Sequence, residues 1–523
     1  MVNGATGRER VDAVIIGAGA MGSLFAQRFA AAGKQVVVLE AGPRWRPGDL
    51  VSSGLWNRRL KPATGGVESR GGDRVYPTYH QGTGTGGAAI HHGAVWIRMQ
   101  EEDFQVRSRF GYGVDWPIDY ETLRPWYDRF QTEAGISGDA AREIWRPPGE
   151  PYPLPPLPWT RQAELLASGF EALDLPVAPI PLGILSRPYH GRSGCFGDGW
   201  CESGCPTGAL ANPLVLHLND ALRHGADLRT GATVTRLIPT PGGERLDAVD
   251  YTDADGAQHR VHADMIILAG GAIQNARLLL ASATADHPVG LANRSGALGR
   301  GMMVHPVQTI FGLHDEPTDP LLGYNGGCVL NQSDYSKAER GSSYQWLGAP
   351  SMKLNDMLGI IPARPNLYGH ALHDFMRDAA HHLISVTALG EDRARDENRL
   401  TLLDRRDRFG LPIAALDHTL HEADRRSLAQ AAEQGMRIMR ATGAREVWPG
   451  EPWHFHLLGG ARMGSDPTAS VTDSYGISHD LPNLVITGGS PFPTVGAINP
   501  TLTLYALASR TAARLLSGSA AVI

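Results

Sequence analysis

Two patterns in this chain have residue types and spacing that could do chemistry. The first is HFHLLGGARMG, residues 454–464. His454 and His456 stand one residue apart, ahead of a glycine pair and an Arg-Met-Gly. A neutral imidazole, with an ordinary pKa near ~6.5, is the side chain best suited to take a proton at neutral pH. The second is SGCFGDGWCESGCPTGALANP, residues 193–213, which spaces Cys195, Cys201 and Cys205 as C-x5-C-x3-C, with Pro206 after the last. Thiolates are soft ligands for zinc or iron–sulfur clusters, and a Cys-Pro ending occurs in ferredoxin-type ligand runs. Three cysteines leave a tetrahedral zinc one ligand short unless a histidine completes it. They match a three-iron (3Fe-4S) cluster, each thiolate capping one iron. Three reduced, partly buried thiols without a metal are the plain alternative.

Such side chains need elements to position them. Residues 11–43, VDAVIIGAGAMGSLFAQRFAAAGKQVVVLEAGP, open with an apolar run and continue as a helical pattern. A second apolar run closes on Glu40. Gly17, Gly19 and Gly22 fit G-x-G-x-x-G at the turn into the helix. Glycines there permit a tight turn and let backbone N–H groups reach a pyrophosphate at the helix N-terminus, while an acid at the end of the second strand holds ribose hydroxyls. An acid suits an unphosphorylated ribose, so the pattern predicts FAD or NAD binding through Glu40. A second glycine-rich loop follows in residues 79–104, with Gly82, Gly84, Gly86 and Gly87. Strand, glycine and helix patterns recur at residues 225–238, 263–282 and 481–516. One nucleotide-binding domain is therefore expected to be assembled from distant pieces of chain.

At 523 residues the chain is long enough for a large two-part core. A net charge of −6 gives no reason to expect nucleic acid or an anionic membrane as partner. No apolar run reaches the ~18–20 residues that span a bilayer, and the start has no signal-peptide pattern. The expectation is a cytoplasmic protein, or a periplasmic one if it is exported with a partner subunit. Proline-dense residues 145–160 read as an exposed connector and residues 397–420 as strands of a substrate-domain sheet. Residues 421–444 read as an amphipathic helix with Leu428, Ala432, Met436 and Met439 on one face. Trp96, Trp346 and Trp453 are candidate stacking faces for a sugar.

Together these segments resemble the glucose–methanol–choline (GMC) family of FAD-dependent oxidoreductases over nearly the whole chain. The most specific parts are the first glycine motif, GTGTGG, GGAIQNARLLL, the histidine–glycine–RMG stretch and SPFPTVGAINPTLTLYALA. The resemblance implies an α/β fold, in which a Rossmann-like FAD-binding domain is interleaved with an α+β substrate domain containing a large antiparallel sheet. On that basis residues 1–45, 75–110, 190–310 and 450–523 form the FAD-binding part, and 46–74, 111–189 and 311–449 the substrate part and connectors. The implied reaction is oxidation of an alcohol, hydride passing from carbon to the flavin N5. The family pattern H-x-x-G-[TG]-x-x-M-G selects His456 as base, followed by Gly459, Gly460, Met463 and Gly464, and leaves His454 structural. The family's second catalytic position, histidine or asparagine, falls on Asn499, whose amide would fix the alcohol oxygen. Implied FAD contacts include Ala20, Ala41, Val234, Gly270, Gly489, Asn499, Pro500 and Thr501 beside the glycines. His91 matches a position that carries a covalent flavin bond in some members.

Many members have an aspartate where this chain has Gly488, and here it is similar to the sugar- and gluconate-type bacterial dehydrogenases. The cysteine spacing is also similar to that of cluster-bearing sugar dehydrogenases. A cluster would pass electrons singly to a cytochrome or a dye in place of oxygen, with a small helper subunit or a cytochrome as partner. The competing readings are an oxidase that reduces oxygen to peroxide, and an FAD-binding electron-transfer or assembly subunit with no substrate of its own.

Overall fold

The computed structural model describes residues 10–61, 66–73, 75, 81–337 and 341–518. Tyr79 and His80, at the head of the second glycine loop, lie outside the described residues, as do the opening residues 1–9.

The apolar runs at the start become β1 (Arg10–Ile16) and β2 (Val36–Glu40), joined by the helix Ala20–Ala31. β2 is buried along its whole length, as expected of an inner strand covered on both faces. The stretch from residue 225 to residue 282 adds β5 (Asp227–Thr230), β6 (Thr233–Pro239), β7 (Leu246–Thr252) and β8 (Gln258–Leu268). Together they make one sheet in the order β5-β2-β1-β8-β7-β6, and β17 (Leu484–Ile486) pairs with the end of β8. β5, β2, β1, β8 and β17 run parallel, while β6 and β7 are antiparallel additions. Parallel strands joined through helices bring their C-terminal ends to one edge, where ligands bind in such sheets.

A second sheet has the order β15-β9-β12-β11-β10-β4, with β16 also on β9. Its strands are β4 (Ala178–Pro179), β9 (Met303–Leu313), β10 (Val329–Asn331), β11 (Tyr344–Gly348), β12 (Leu383–Gly390), β15 (Glu446–Pro449) and β16 (Trp453–Leu458). Every pairing in it is antiparallel. β15 and β16 divide one edge of β9 between them, β15 along residues 310–313 and β16 along 303–307. Most of β9 and all of β16 come from stretches that the sequence reading placed in the FAD-binding part. The antiparallel sheet thus draws strands from both sides of those boundaries.

Two expectations shift. Residues 397–420 do form strands, β13 (Arg399–Arg406) and β14 (Pro412–Asp417). They pair with β3 (Val67–Arg70) in a separate three-stranded sheet against the helix Ala272–Ala281 and do not join the antiparallel sheet. The helix Glu422–Ala441 buries Ser427, Ala431, Gly435, Ile438 and Met439, a stripe rotated from the expected one. Close approach decides this: a Cβ at Gly435 would sit 2.6 Å from Ile310 and 2.9 Å from Trp346. Small residues let the helix lie on the sheet, and the larger Leu428 and Met436 pack at its margin.

Candidate active site

A cavity of about 1770 Å³ runs from the C-terminal ends of β1 and β2 to the antiparallel sheet. Gly17, Gly19, Ala20, Glu40, Ala41, Gly87, His91, Val234, Gly270, Gly489, Asn499, Pro500 and Thr501 all line it. So does His456. Gly22, Gly84 and Gly86 are not in its lining; they shape the walls. A Cβ on Gly22 would stand 1.9 Å from the carbonyl oxygen of Gly17, so the helix could not pack on its own turn. Gly84 and Gly86 hold φ of 126° and 98°, conformations open to glycine.

Glu40 is buried and its carboxylate accepts three backbone N–H bonds at 2.9 Å, from Ala18, Gly42 and Gly84. One side chain therefore ties the first glycine turn to the second glycine loop and still lines the nucleotide end of the cavity. The helix N-terminus at Gly19 and Ala20 opens on the same space, and helix N-termini are suited to anions. His92, the neighbour of His91, is fully satisfied: Ala94 N–H donates to its Nδ1, and its Nε2 lies 3.1 Å from the Ala211 carbonyl. His91 differs. Its Nε2 is buried and has no hydrogen-bond partner among the described residues. Burial holds both rings down to about 4, so both are neutral at neutral pH.

At the other end, the pairing of β16 with β9 shifts register between Phe455 and Leu458, and His456 takes φ of +50°. A bulge of this kind re-aims a side chain. Two histidines that a regular strand would point the same way diverge as a result. His454 turns toward His418 and Asp73. His456 turns to the cavity, and its Nδ1 lies 2.9 Å from Nδ1 of His305 on β9. Gly459 follows with φ of 82°, where a Cβ would stand 1.9 Å from the Gly301 oxygen.

The protons in this pair can be assigned. His305 is fully buried, and burial holds it down to about 4, so it is neutral. Its Nε2 lies 3.0 Å from the Gly496 carbonyl, which can only accept, so Nε2 carries the proton. Its Nδ1 is then bare, and His456 must donate from Nδ1. The neutral form of His456 then carries its lone pair on Nε2. Asn499 has the opposite polarity: its Oδ1 accepts from Gln345 Nε2 at 3.1 Å, which leaves the NH2 as the donating end. A proton acceptor and a proton donor thus face one cavity, matching the two ends of an alcohol O–H.

The three cysteines lie outside this cavity but against its wall. Glu202 and Asn325 line the cavity; Glu202 follows Cys201, and the Asn325 backbone donates to the Cys201 thiol. The thiols are near enough for each charge to bear on the others. Gly197 N–H donates to Cys195 Sγ, and Leu210 N–H to Cys205 Sγ, both at 3.3 Å. Burial pushes the Cys195 thiol up to about 11 and raises Cys201 further, so neither ionises without a cation beside it. Among the described residues no group of three His, Cys, Asp or Glu converges on a single metal ion, so zinc completed by a histidine finds no support. Thiols that cap different irons of one cluster need not converge on a point.

Trp96 and Trp346 are fully buried against Tyr505 and Phe130 and against Tyr344 and Phe170, so they are core and offer no stacking face. Trp453 does line the cavity. Sequence reasoning missed His305 and Gln345. The signal for His305 was a titratable residue inside an otherwise buried apolar run, MVHPVQTIFGL. Gln345 gave none beyond a polar residue within a buried strand.

The family profile described as GMC oxidoreductase matches residues 11–307, and a second with the same description matches 394–508. The fructose dehydrogenase large subunit of Gluconobacter japonicus is 30% identical, with 97% of this chain and 98% of that protein covered. The 2-methyl-1,2-propanediol dehydrogenase of Mycolicibacterium austroafricanum is 29% identical, with 97% and 95% covered. The crystal structure of pyridoxine 4-oxidase from Mesorbium loti superposes with a TM-score of 0.66 at 19% identity, covering 96% of this chain and 98% of that one. That likeness agrees with the fold described above. The chain, with a glycine-lined turn and Glu40 at one end of its cavity and an imidazole–amide pair at the other, belongs to the GMC oxidoreductases, flavoprotein enzymes that oxidise alcohols with FAD.

Proposed function

We propose that this protein oxidises an alcohol group of a sugar, glycoside or polyol to a carbonyl and passes the electrons to an acceptor other than oxygen. The observation that carries the reading is the opposed polarity of His456 and Asn499 at the end of the nucleotide cavity. Bound FAD supplies the acceptor for the hydride. His456 Nε2 takes the hydroxyl proton as the hydride leaves, which spares the product a protonated carbonyl. Its Nδ1–H bond to His305 then becomes charge-assisted and steadies the imidazolium. The Asn499 amide donates to the alcohol oxygen and keeps the carbon in place through the step. At the other end Glu40 would hold the ribose, and the turn Gly17–Ala20 the pyrophosphate. His91, neutral and with an Nε2 that has no hydrogen-bond partner among the described residues, would touch the flavin or carry a covalent bond to it.

The relatives' names, fructose dehydrogenase and 2-methyl-1,2-propanediol dehydrogenase, support a sugar or polyol substrate. Cys195, Cys201 and Cys205 would hold a 3Fe-4S cluster, a one-electron carrier between a two-electron centre and a cytochrome on a helper subunit. Their mutual proximity, their N–H donors and their place beside the cavity wall support this. The test is anaerobic titration of purified protein with a panel of sugars, glycosides and polyols, read as bleaching of flavin absorbance. Iron and acid-labile sulfide are assayed on the same sample. Flavin that no member of the panel bleaches would overturn the substrate class, and flavin-replete protein without iron or sulfide would return the cysteines to plain thiols.

A further inference from the structure

We infer that Gln345 is a positioning residue for Asn499, the terminal link of a buried row of amides whose polarity is set far from the cavity. This rests on the alcohol-oxidising reading above. The row begins at Gln100, whose Nε2 donates to the Trp145 carbonyl at 3.1 Å and to Gln332 Oε1 at 3.3 Å. Gln332 Nε2 donates to Gln345 Oε1 at 2.8 Å, and Gln345 Nε2 to Asn499 Oδ1 at 3.1 Å. Gln332 and Gln345 are almost wholly buried, so water does not offer either end an alternative partner. A carbonyl can only accept, so the Trp145 oxygen requires the nitrogen of Gln100 toward it. Flipping any one amide sets two oxygens or two NH2 groups face to face, which a buried site resists. The direction is therefore inherited down the row, and Asn499 arrives with its oxygen occupied and its NH2 as the donor.

Asparagine on its own presents either end at little cost, so the sequence position alone does not make Asn499 a donor. Gln345 does. If so, Gln345→Glu reverses the end of the row. When ionised, its carboxylate accepts from Gln332 and from Asn499, and Asn499 turns its oxygen to the cavity. The donor to the alcohol oxygen is lost while the side-chain shape is kept.

The experiment is a double-mutant cycle of Gln345→Glu and Asn499→Ala on the flavin-loaded protein. Two readouts are taken: anaerobic flavin reduction by whichever probe alcohol, D-fructose or 2-methyl-1,2-propanediol, bleaches the wild type, and thermal unfolding without substrate. Gln345→Glu should weaken the efficiency of flavin reduction by about tenfold to a hundredfold with Asn499 present. It should have almost no further effect on reduction once Asn499 is alanine, and the unfolding shifts should likewise fail to add. Effects that add in full in either readout would overturn the inference. If neither alcohol bleaches wild type, the substrate reading fails for those probes and the unfolding cycle still decides whether Gln345 acts through Asn499.

Discussion

The lone pair on His456 Nε2 is a product of its neighbours, and this orders the expected effects of substitution. His456→Ala should keep flavin, because the ring faces the substrate end of the cavity, yet lose flavin reduction by roughly 10²–10⁴-fold, the range for one general base. His454→Ala, whose ring faces His418, should be nearly silent in anaerobic single-turnover reduction. Inactivity of the second with survival of the first would refute the assignment. The buried histidines also set a pH dependence. His91, His92 and His305 are each held down to about 4 by burial. Unfolding returns each ring to its ordinary value near ~6.5, so the unfolded chain takes up protons first as pH falls. Stability contributed by these rings is present in full above about 6.5 and is lost progressively down to about 4. Each is worth on the order of a few kcal/mol. A melting temperature unchanged between pH 7 and pH 4.5 would contradict this.

Elements decide which of these residues were legible in the sequence. β1, the glycine turn, the helix and β2 are contiguous in the chain and carry their signal locally, so the turn at Gly17, Gly19 and Gly22 and the strand end at Glu40 could be read directly. The line from His456 through His305 to Gly496 joins three distant segments, and no local pattern announces it. The bulge at His456 was equally invisible, because a two-residue spacing on a strand predicts one common face. Family register selects the ring that lines the cavity, which strand periodicity alone could not. Trp96 and Trp346 failed as sugar platforms for the converse reason, since large aromatics near a site are commonly what packs it. Close packing gives the test proper to this scale. Gly22→Ala places a methyl group against the Gly17 oxygen and should loosen the turn by about 1–3 kcal/mol. The measurement is the flavin-to-protein ratio after gel filtration, which should fall well below that of wild type.

Across the whole molecule the proposed electron path runs from cavity to surface: Cys195 and Cys205 are partly exposed and Cys201 is buried behind the wall. Cys201→Ser should remove iron and slow turnover with one-electron dyes by at least about tenfold, while reduction of the flavin by substrate continues. Unaltered dye turnover in an iron-free variant would exclude the cluster from the path. The interleaving of the two sheets has a further consequence. β9 and β16 reach the antiparallel sheet from segments that flank or close the parallel one, and β17 returns to β8 from the far end of the chain. No single cut yields a nucleotide module and a substrate module. A lineage built this way cannot acquire new substrates by exchanging domains, as chains with one strand-to-linker junction can. Changes around the shared frame are left to point substitutions and loop insertions, and the fructose dehydrogenase large subunit and the 2-methyl-1,2-propanediol dehydrogenase are each matched over nearly their full length.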